Sequence, residues 1–350
     1  MERNWKQLAG VFLMGVLMPG LAVRIGGAIV PARGQAETTL PAESTAAEVT
    51  EAPAVGQAVS IPVKMADGTV ISMELEEYLV GVVIGEMPAS FEPEALKAQA
   101  VVARTFTLRC AQRGDKHTDA AVCTDSRCCQ SYLSVADYYA AGADEADVEK
   151  IRSAVQSTAG QVLTYNGELI EATYFSCSGG RTEDAAAVWG GEVPYLQSVE
   201  SPGEENAAVY TEMVTFTASE FASLLGRKLT GSPESWFGVT TYTEGGGVAT
   251  MVLAGRSYTG TELRSLLSLN STVFTMKAEG NTITVTTTGK GHRVGMSQYG
   301  ADAMAVLGST YEEILAHYYQ GTRIDKIDAL GKNIGKYPRR RDPFAYSDSQ

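Results

Sequence analysis

The sequence predicts an α+β protein, with mixed helices and antiparallel strands forming a cleft and a smaller inserted subdomain. Three observations carry that expectation. Two turn signals, Ala66-Asp67-Gly68 and Asn166-Gly167, sit between strand-like runs and read as β-hairpins. Two helical patterns, Glu76 to Glu86 and Pro93 to about Arg109, fall between those hairpins. From about Ser201 to Glu279 the texture changes to short strands, a Gly245-Gly246-Gly247 run and short helical stretches, which marks the insert.

The elements follow in order. Residues 1–7 are polar, with Arg3 and Lys6. Leu8 to Val23 is almost wholly apolar, and the chain stays weakly apolar past Arg24 to Val30. A signal peptide and a retained anchor both fit this pattern. No small-x-small cleavage pattern follows the apolar core, which favours a single-pass membrane anchor over residues 1–31 with the rest of the chain extracytoplasmic. Residues 32–58, rich in Ala, Glu, Thr and Pro, read as a solvated linker. Ordered sequence spans 59–323, with the insert at about 201–279, and residues 324–350 read as a flexible tail.

Within that domain, VSIPVKM and TVISMEL flank the first turn. Glu76 to Glu86 reads as a helix with Tyr78, Leu79, Val82 and Val83 on one side, ended by Met87-Pro88. Pro93 suits the first turn of the next helix. Lys97, Val101, Arg104 and Leu108 lie along one stripe of it, so Lys97 and Arg104 project from the same side. A Cys- and His-containing loop, Cys110 to Cys129, precedes a helix over Asp147 to Ala159. QVLTYNGELIEATYFS reads as a hairpin running directly into Cys177-Ser178-Gly179-Gly180, where Tyr174 and Ser176 alternate onto one face. In the insert, Phe216 to Leu225 and Glu262 to Leu269 are helix-like. TITVTTTG then reads as a strand, and helices near Gln298 to Leu307 and Tyr311 to Tyr319 close the domain. No internal repeat is evident.

The chain of 350 residues is 44% hydrophobic and 20% charged, which places it among globular proteins. Its net charge of -13 argues against a nucleic-acid partner, because phosphate backbones demand basic surfaces. The five cysteines, Cys110, Cys123, Cys128, Cys129 and Cys177, do not form a spaced disulfide framework. The crowding of three of them between Cys123 and Cys129 reads as a metal clip or one local disulfide. Glu86 is the candidate catalytic residue. It follows Val82-Val83-Ile84-Gly85, so apolar surroundings can hold its carboxyl protonated near neutral pH.

The chain resembles the SpoIID/LytB family of cell-wall proteins in four words, in the family's order: GEMPASF…EALKAQAVVART, YFSCSGG, W…PYL and GHRVGMSQYGA. The resemblance covers Val59 to Arg323. It implies that Glu86 is the catalytic acid of a lytic transglycosylase, and it places Lys97 and Arg104 in the active-site cleft. It also implies that the YFSCSGG word, with Tyr174, Ser176 and Ser178, lines that cleft. Gln298 and Tyr299 open a helix whose N-terminal amides suit oxygen-rich ligands, and both are candidates for substrate binding. His292 reads equally as a packed core histidine. Arg293 departs from the family's glycine at that point. Some family members hold zinc with one histidine and two cysteines at the spacing of His117, Cys123 and Cys129, which implies a structural zinc here. Cys128 stays open, as a substitute for Cys129 or a free thiol.

The implied reaction needs only one carboxylate. Glycosidases that use water generally need two carboxylates flanking the bond, and the nearest second candidates, Glu171 and Asp184, sit in no comparable word. A lone glutamate instead protonates the leaving oxygen, then accepts a proton as the muramic acid C6 hydroxyl attacks C1. The resemblance implies glycan strands stripped of stem peptides as substrate, with an amidase or endopeptidase partner and a membrane scaffold in the engulfment machinery of sporulation. A second reading comes from LytB-like relatives: a glycan-binding amidase enhancer without chemistry of its own. A zinc amidase fits less well, because the Cys/His loop lacks a nearby general base.

Overall fold

The chain folds as the α+β protein expected, in a computed structural model that describes residues 59–328. At its centre lies the helix Leu75–Glu86. Eight of its residues are buried, including the unbroken run from Tyr78 to Ile84. A helix apolar on every side belongs inside a core, where each large side chain contributes about 1.5–3 kcal/mol. The Glu74 carboxylate caps it by accepting the Glu77 N–H at 2.9 Å. It ends because Met87 precedes Pro88 and is forced into extended backbone.

The next helix, Pro93–Arg113, starts with proline in its first turn and stops at Gly114, where φ is 58°. It packs against Leu75–Glu86, Glu145–Ser157, Gln298–Val306 and Tyr311–Tyr318. On the first hairpin, Ser60–Lys64 pairs antiparallel with Val70–Glu74. Its other edge takes Val122–Cys123 in parallel, with Lys64 opposite Cys123, and so pins the Cys/His loop.

The second hairpin turns at Asn166 and Gly167, both with positive φ, as a type I′ turn requires. Its return strand is shorter than the alternation suggests: Glu168–Leu169 pairs with Gln161–Tyr165 and then leaves. Tyr174–Phe175 instead pairs in parallel with Met296–Ser297. That long-range exchange sets two of the sequence words side by side. It depends on Gly295, whose φ is +83° and whose hydrogen faces the Thr173 carbonyl, where a Cβ would collide. Arg323–Lys326 adds the third strand beside Gln161–Tyr165, so ordered chain continues past residue 323.

Two hydrophobic clusters form. The larger gathers the helices just described. The smaller is built from Phe221, Trp236, Leu253, Leu263, Phe274 and Ile283, among others. Its sheets are Thr211–Thr217 with Thr282–Thr288 and Val273–Glu279, and Phe237–Tyr242 with Val248–Leu253 and Arg256–Thr259. This region holds a repeat that composition hides. FTASEFASLL and YTGTELRSLL each run from strand into helix through a capping box, Thr217 with Glu220 and Thr259 with Glu262.

The expected single-pass anchor and membrane location are corrected here. Among the described residues no helix is long and apolar enough to cross a membrane. The longest, Pro93–Arg113, carries Lys97, Arg104, Arg109 and Arg113. The anchor at 1–31, the linker at 32–58 and residues 329–350 of the expected tail lie outside the described residues.

Candidate active site

Glu86 is the last residue of its helix and is half-buried. Its Oε1 accepts the Ser131 backbone N–H at 2.7 Å, and its Oε2 accepts Gln298 Nε2 at 3.2 Å. Burial pushes the carboxyl above the ordinary glutamate range, while the Ser131 and Gln298 hydrogen bonds and the nearby Tyr174 hydroxyl pull the other way. The negative end of the helix dipole acts in the same direction as burial.

Close packing delivers Ser131. A Cβ on Gly81 would strike the Tyr132 ring, and one on Gly85 would lie 3.0 Å from Ser131 Oγ. The bare edge of the helix therefore admits the backbone of residues 131–133, and Leu133 N–H donates to the Gly81 carbonyl at 3.0 Å. Glycine at both positions is the sequence signal for this contact.

A pocket of about 510 Å³ opens on Glu86. Tyr174, Ser176 and Gln298 line it with Thr173, and Arg264, Asn270 and Lys290 form part of its wall. Among the described residues lining it, Glu86 is the only carboxylate. The Tyr174 hydroxyl donates to Gln130 Oε1 at 3.1 Å, and burial, then the Glu86 charge, pushes its pKa well up. Gln130 in turn donates to Thr107 Oγ1 at 2.8 Å, which anchors the chain of hydrogen bonds in the core.

The remaining predicted residues separate. Arg104 is not at the pocket. Its buried guanidinium clasps Glu76 through Nε at 3.0 Å and Nη2 at 2.5 Å, and donates to the carbonyls of Val155 and Gln161. Lys97 pairs with Glu94 at 2.6 Å and lies over the Tyr311 ring. Ser178 is buried, with its Oγ donating to Glu204 at 2.8 Å. The Tyr299 ring packs edge-on against Phe91 at 5.0 Å, and its N–H donates to the Ser176 carbonyl. The Tyr299 and Gly300 amides of the helix start are thus occupied internally, because Gly300 N–H also bonds Ser297 Oγ. Periodicity placed Lys97 and Arg104 on one face correctly, but that face turns toward other elements. The two candidate second carboxylates are also committed: Glu171 pairs with Arg109 and Arg113, and Asp184 caps Ala185–Trp189.

His292 lines the pocket, tucked against Phe175 and Trp189 at 5.6 Å each. Its Nδ1 accepts the Val294 N–H at 3.1 Å, and burial, then Arg264, lowers its pKa to about 4. Arg293 adopts φ of 68°, a left-handed conformation that glycine would take without strain. Its side chain compensates: it reaches Ser178 O, Arg181 O, Gly245 O and the Glu183 carboxylate, all within 3.0 Å. This buried arginine joins the YFSCSGG turn to the glycine run of the second cluster.

His117, Cys123, Cys128 and Cys129 bring four potential ligand atoms within 4.8 Å of one another. His117 Nε2 lies 3.4 Å from Cys129 Sγ and 3.6 Å from Cys128 Sγ. None of the five cysteines is paired in a disulfide. Sequence reasoning missed Ser131, Gln130, Arg264, Asn270 and Lys290. The last three carry no local pattern, since the fold alone brings them to the pocket.

Fold and site together define an α+β protein that presents one partly buried acid in a pocket lined by the cations Arg127, Arg264 and Lys290. Residues 66–165 match the family described as stage II sporulation protein, SpoIID. The chain is 45% identical over 317 residues to stage II sporulation protein D of Bacillus subtilis (strain 168), covering 89% of this chain and 90% of that protein. It is 42% identical over 284 residues to the protein of the same name from Bacillus amyloliquefaciens, covering 79% and 82%. It is also 30% identical over 304 residues to the amidase enhancer of Bacillus subtilis (strain 168), covering 70% of this chain and 40% of that protein. The chain belongs to the stage II sporulation protein D family.

Proposed function

We propose that the protein is a lytic transglycosylase that cleaves peptide-stripped peptidoglycan strands during sporulation, beside an amidase or endopeptidase partner. The supporting observation is Glu86 itself: a carboxyl raised by burial and standing as the lone acid of its pocket among the described lining residues. Protonated Glu86 donates to the glycosidic oxygen as the C1–O bond breaks. The resulting carboxylate stabilises the oxocarbenium ion and then accepts the C6 hydroxyl proton as O6 bonds to C1. The product is a 1,6-anhydro-muramic end, with no water consumed.

Tyr174, Ser176, Gln298 and Asn270 offer hydrogen bonds to acetamido and hydroxyl groups. Arg264 and Lys290 suit the lactyl carboxylates that stem-peptide removal exposes. Zinc held by His117, Cys123 and Cys129 belongs to the same reading as a structural crosslink of the loop that leads to Ser131; the donor set of one imidazole and two thiolates suits that ion.

The test is product analysis on peptide-free glycan by mass spectrometry. Wild-type protein yields anhydro-muramic ends and Glu86→Gln yields none above background; equal yields would remove Glu86 from the chemistry. The similarity to an amidase enhancer favours one rival, a glycan-binding activator. In that case Glu86→Gln keeps full amidase stimulation and the wild type makes no anhydro ends.

A further inference from the structure

We infer that Cys128 is a fourth metal ligand, which makes His117, Cys123, Cys128 and Cys129 a closed site with one imidazole and three thiolates. The inference rests on the zinc reading above and adds to it. A tetrahedral zinc with Zn–S of about 2.3 Å and Zn–N of about 2.0–2.1 Å spaces sulfur from sulfur by about 3.8 Å and sulfur from nitrogen by about 3.5 Å. Cys128 Sγ lies 3.8 Å from Cys129 Sγ and 3.6 Å from His117 Nε2, and Cys129 Sγ lies 3.4 Å from His117 Nε2. These match three of the six edges of such a tetrahedron, and the edges to Cys123 lie within 4.8 Å. A disulfide would hold its sulfurs at about 2.0 Å.

Adjacent side chains seldom converge on one point, so the backbone must be shaped for it. The N–H groups of both Cys128 and Cys129 donate to the Asp125 carbonyl, at 3.0 and 2.8 Å, closing a tight turn. Lys116 Nζ holds the Cys128 carbonyl at 2.6 Å. The parallel pairing of Cys123 with Lys64 fixes the opposite corner. Burial is graded across the group: Cys123 is buried, His117 and Cys129 are half-buried and Cys128 is exposed. Cys128 therefore covers the solvent side, where a three-ligand site would admit water.

A closed sphere gives the ion a mechanical role. It locks residues 117–129, and two residues later Ser131 N–H meets Glu86 Oε1 at 2.7 Å. With no open position, the ion acts on Glu86 only through that chain segment.

The experiment uses the full chain, purified under reducing conditions, with zinc content measured and then zinc exchanged for cobalt(II). The thiolate-to-cobalt charge-transfer absorption reports the number of sulfur ligands. Relative to wild type, Cys128→Ser should lose about one third of that intensity per cobalt and release zinc to a chromophoric chelator roughly tenfold more readily. Cys128→His should keep the tetrahedral cobalt spectrum with the same one-third loss. Circular dichroism of Cys128→Ala controls for folding. Unchanged intensity and zinc retention in both Cys128→Ser and Cys128→Ala would overturn the assignment while leaving a three-ligand zinc in place. Wild-type protein without stoichiometric zinc, or two hydrogens lighter by intact mass, would overturn the zinc reading itself.

Discussion

Two carboxylates meet the start of the same helix and are used in opposite ways. Ser297 and Gln298 are neighbours: Ser297 Oγ donates to Glu204 at 2.5 Å, and Gln298 Nε2 donates to Glu86 at 3.2 Å. Glu204 is buried and also accepts from Ser178 N–H and Oγ, Gly179 N–H, Cys177 Sγ and Ser201 Oγ. Glu86 accepts only from the Ser131 amide and Gln298. Donor supply separates the two roles. A carboxylate ringed by donors fastens loops together, whereas one with few donors and apolar neighbours can take up and release a proton. Glu204 builds the wall against which Glu86 works, since it secures the turn after Tyr174 and the cap of the helix bearing Gln298.

The comparison can be broken or sharpened at several points. The largest expected effect is on chemistry: Glu86→Gln should cut anhydro-product formation by about 10³-fold or more, with little change in melting temperature. Glu204→Gln should do the reverse. It places an amide where six donors converge, and urea unfolding should show a loss of about 3–5 kcal/mol. An intact Glu204→Gln protein with an inactive site would mean that Glu204, too, takes part in chemistry.

Arg104→Ala should cost about 3–5 kcal/mol, because it leaves Glu76 without its buried partner, whereas Lys97→Ala should cost under about 1 kcal/mol. Activity per folded molecule should survive both changes, and a selective loss of turnover at normal stability would return either residue to the site.

The pH dependence comes next. Glu86 is raised above its ordinary value of 4.5, so turnover should fall as pH rises through the raised value, where the acid deprotonates. Stability follows the same sign. Below 4.5 the carboxyl is neutral in folded and unfolded chains alike; above it the unfolded chain ionises first, and native stability declines until the folded-state value is passed. Denaturation of wild type against Glu86→Gln across that window reads this difference directly. Smallest is Gln298→Ala. It removes a hydrogen bond that favours the charged form, so the descending limb should move to higher pH, by less than burial itself contributes. A limb that moves down would mean that Gln298 does not serve Glu86.

Much of this was legible from local pattern, and the limits have identifiable causes. The helix around Glu86, the long helix after Pro93 and both hairpin turns follow from periodicity, proline placement and positive-φ residues. Tyr174, Ser176 and Gln298, each within one of the family words, line the pocket. Arg104 and Ser178 lie in the same kind of words but bond inward, because a motif records that a residue is needed without saying whether substrate or scaffold needs it. The chain's internal repeat passed unseen because its two copies are short and share only Thr, Glu, Ser and a Leu pair. Lys290, Arg264 and Asn270 have no local signature at all.

By itself, the sequence determined the elements with short-range causes: which segments coil, where they stop, and that one acid follows a run of valines. Only the tertiary structure decided what that acid meets. The parallel pairing of Tyr174–Phe175 with Met296–Ser297 and the docking of 131–133 on Gly81 and Gly85 join residues far apart in the chain. Contacts of that range depend on backbone close approach and on which donors reach a carboxylate first, and neither is written in the spacing of any one segment.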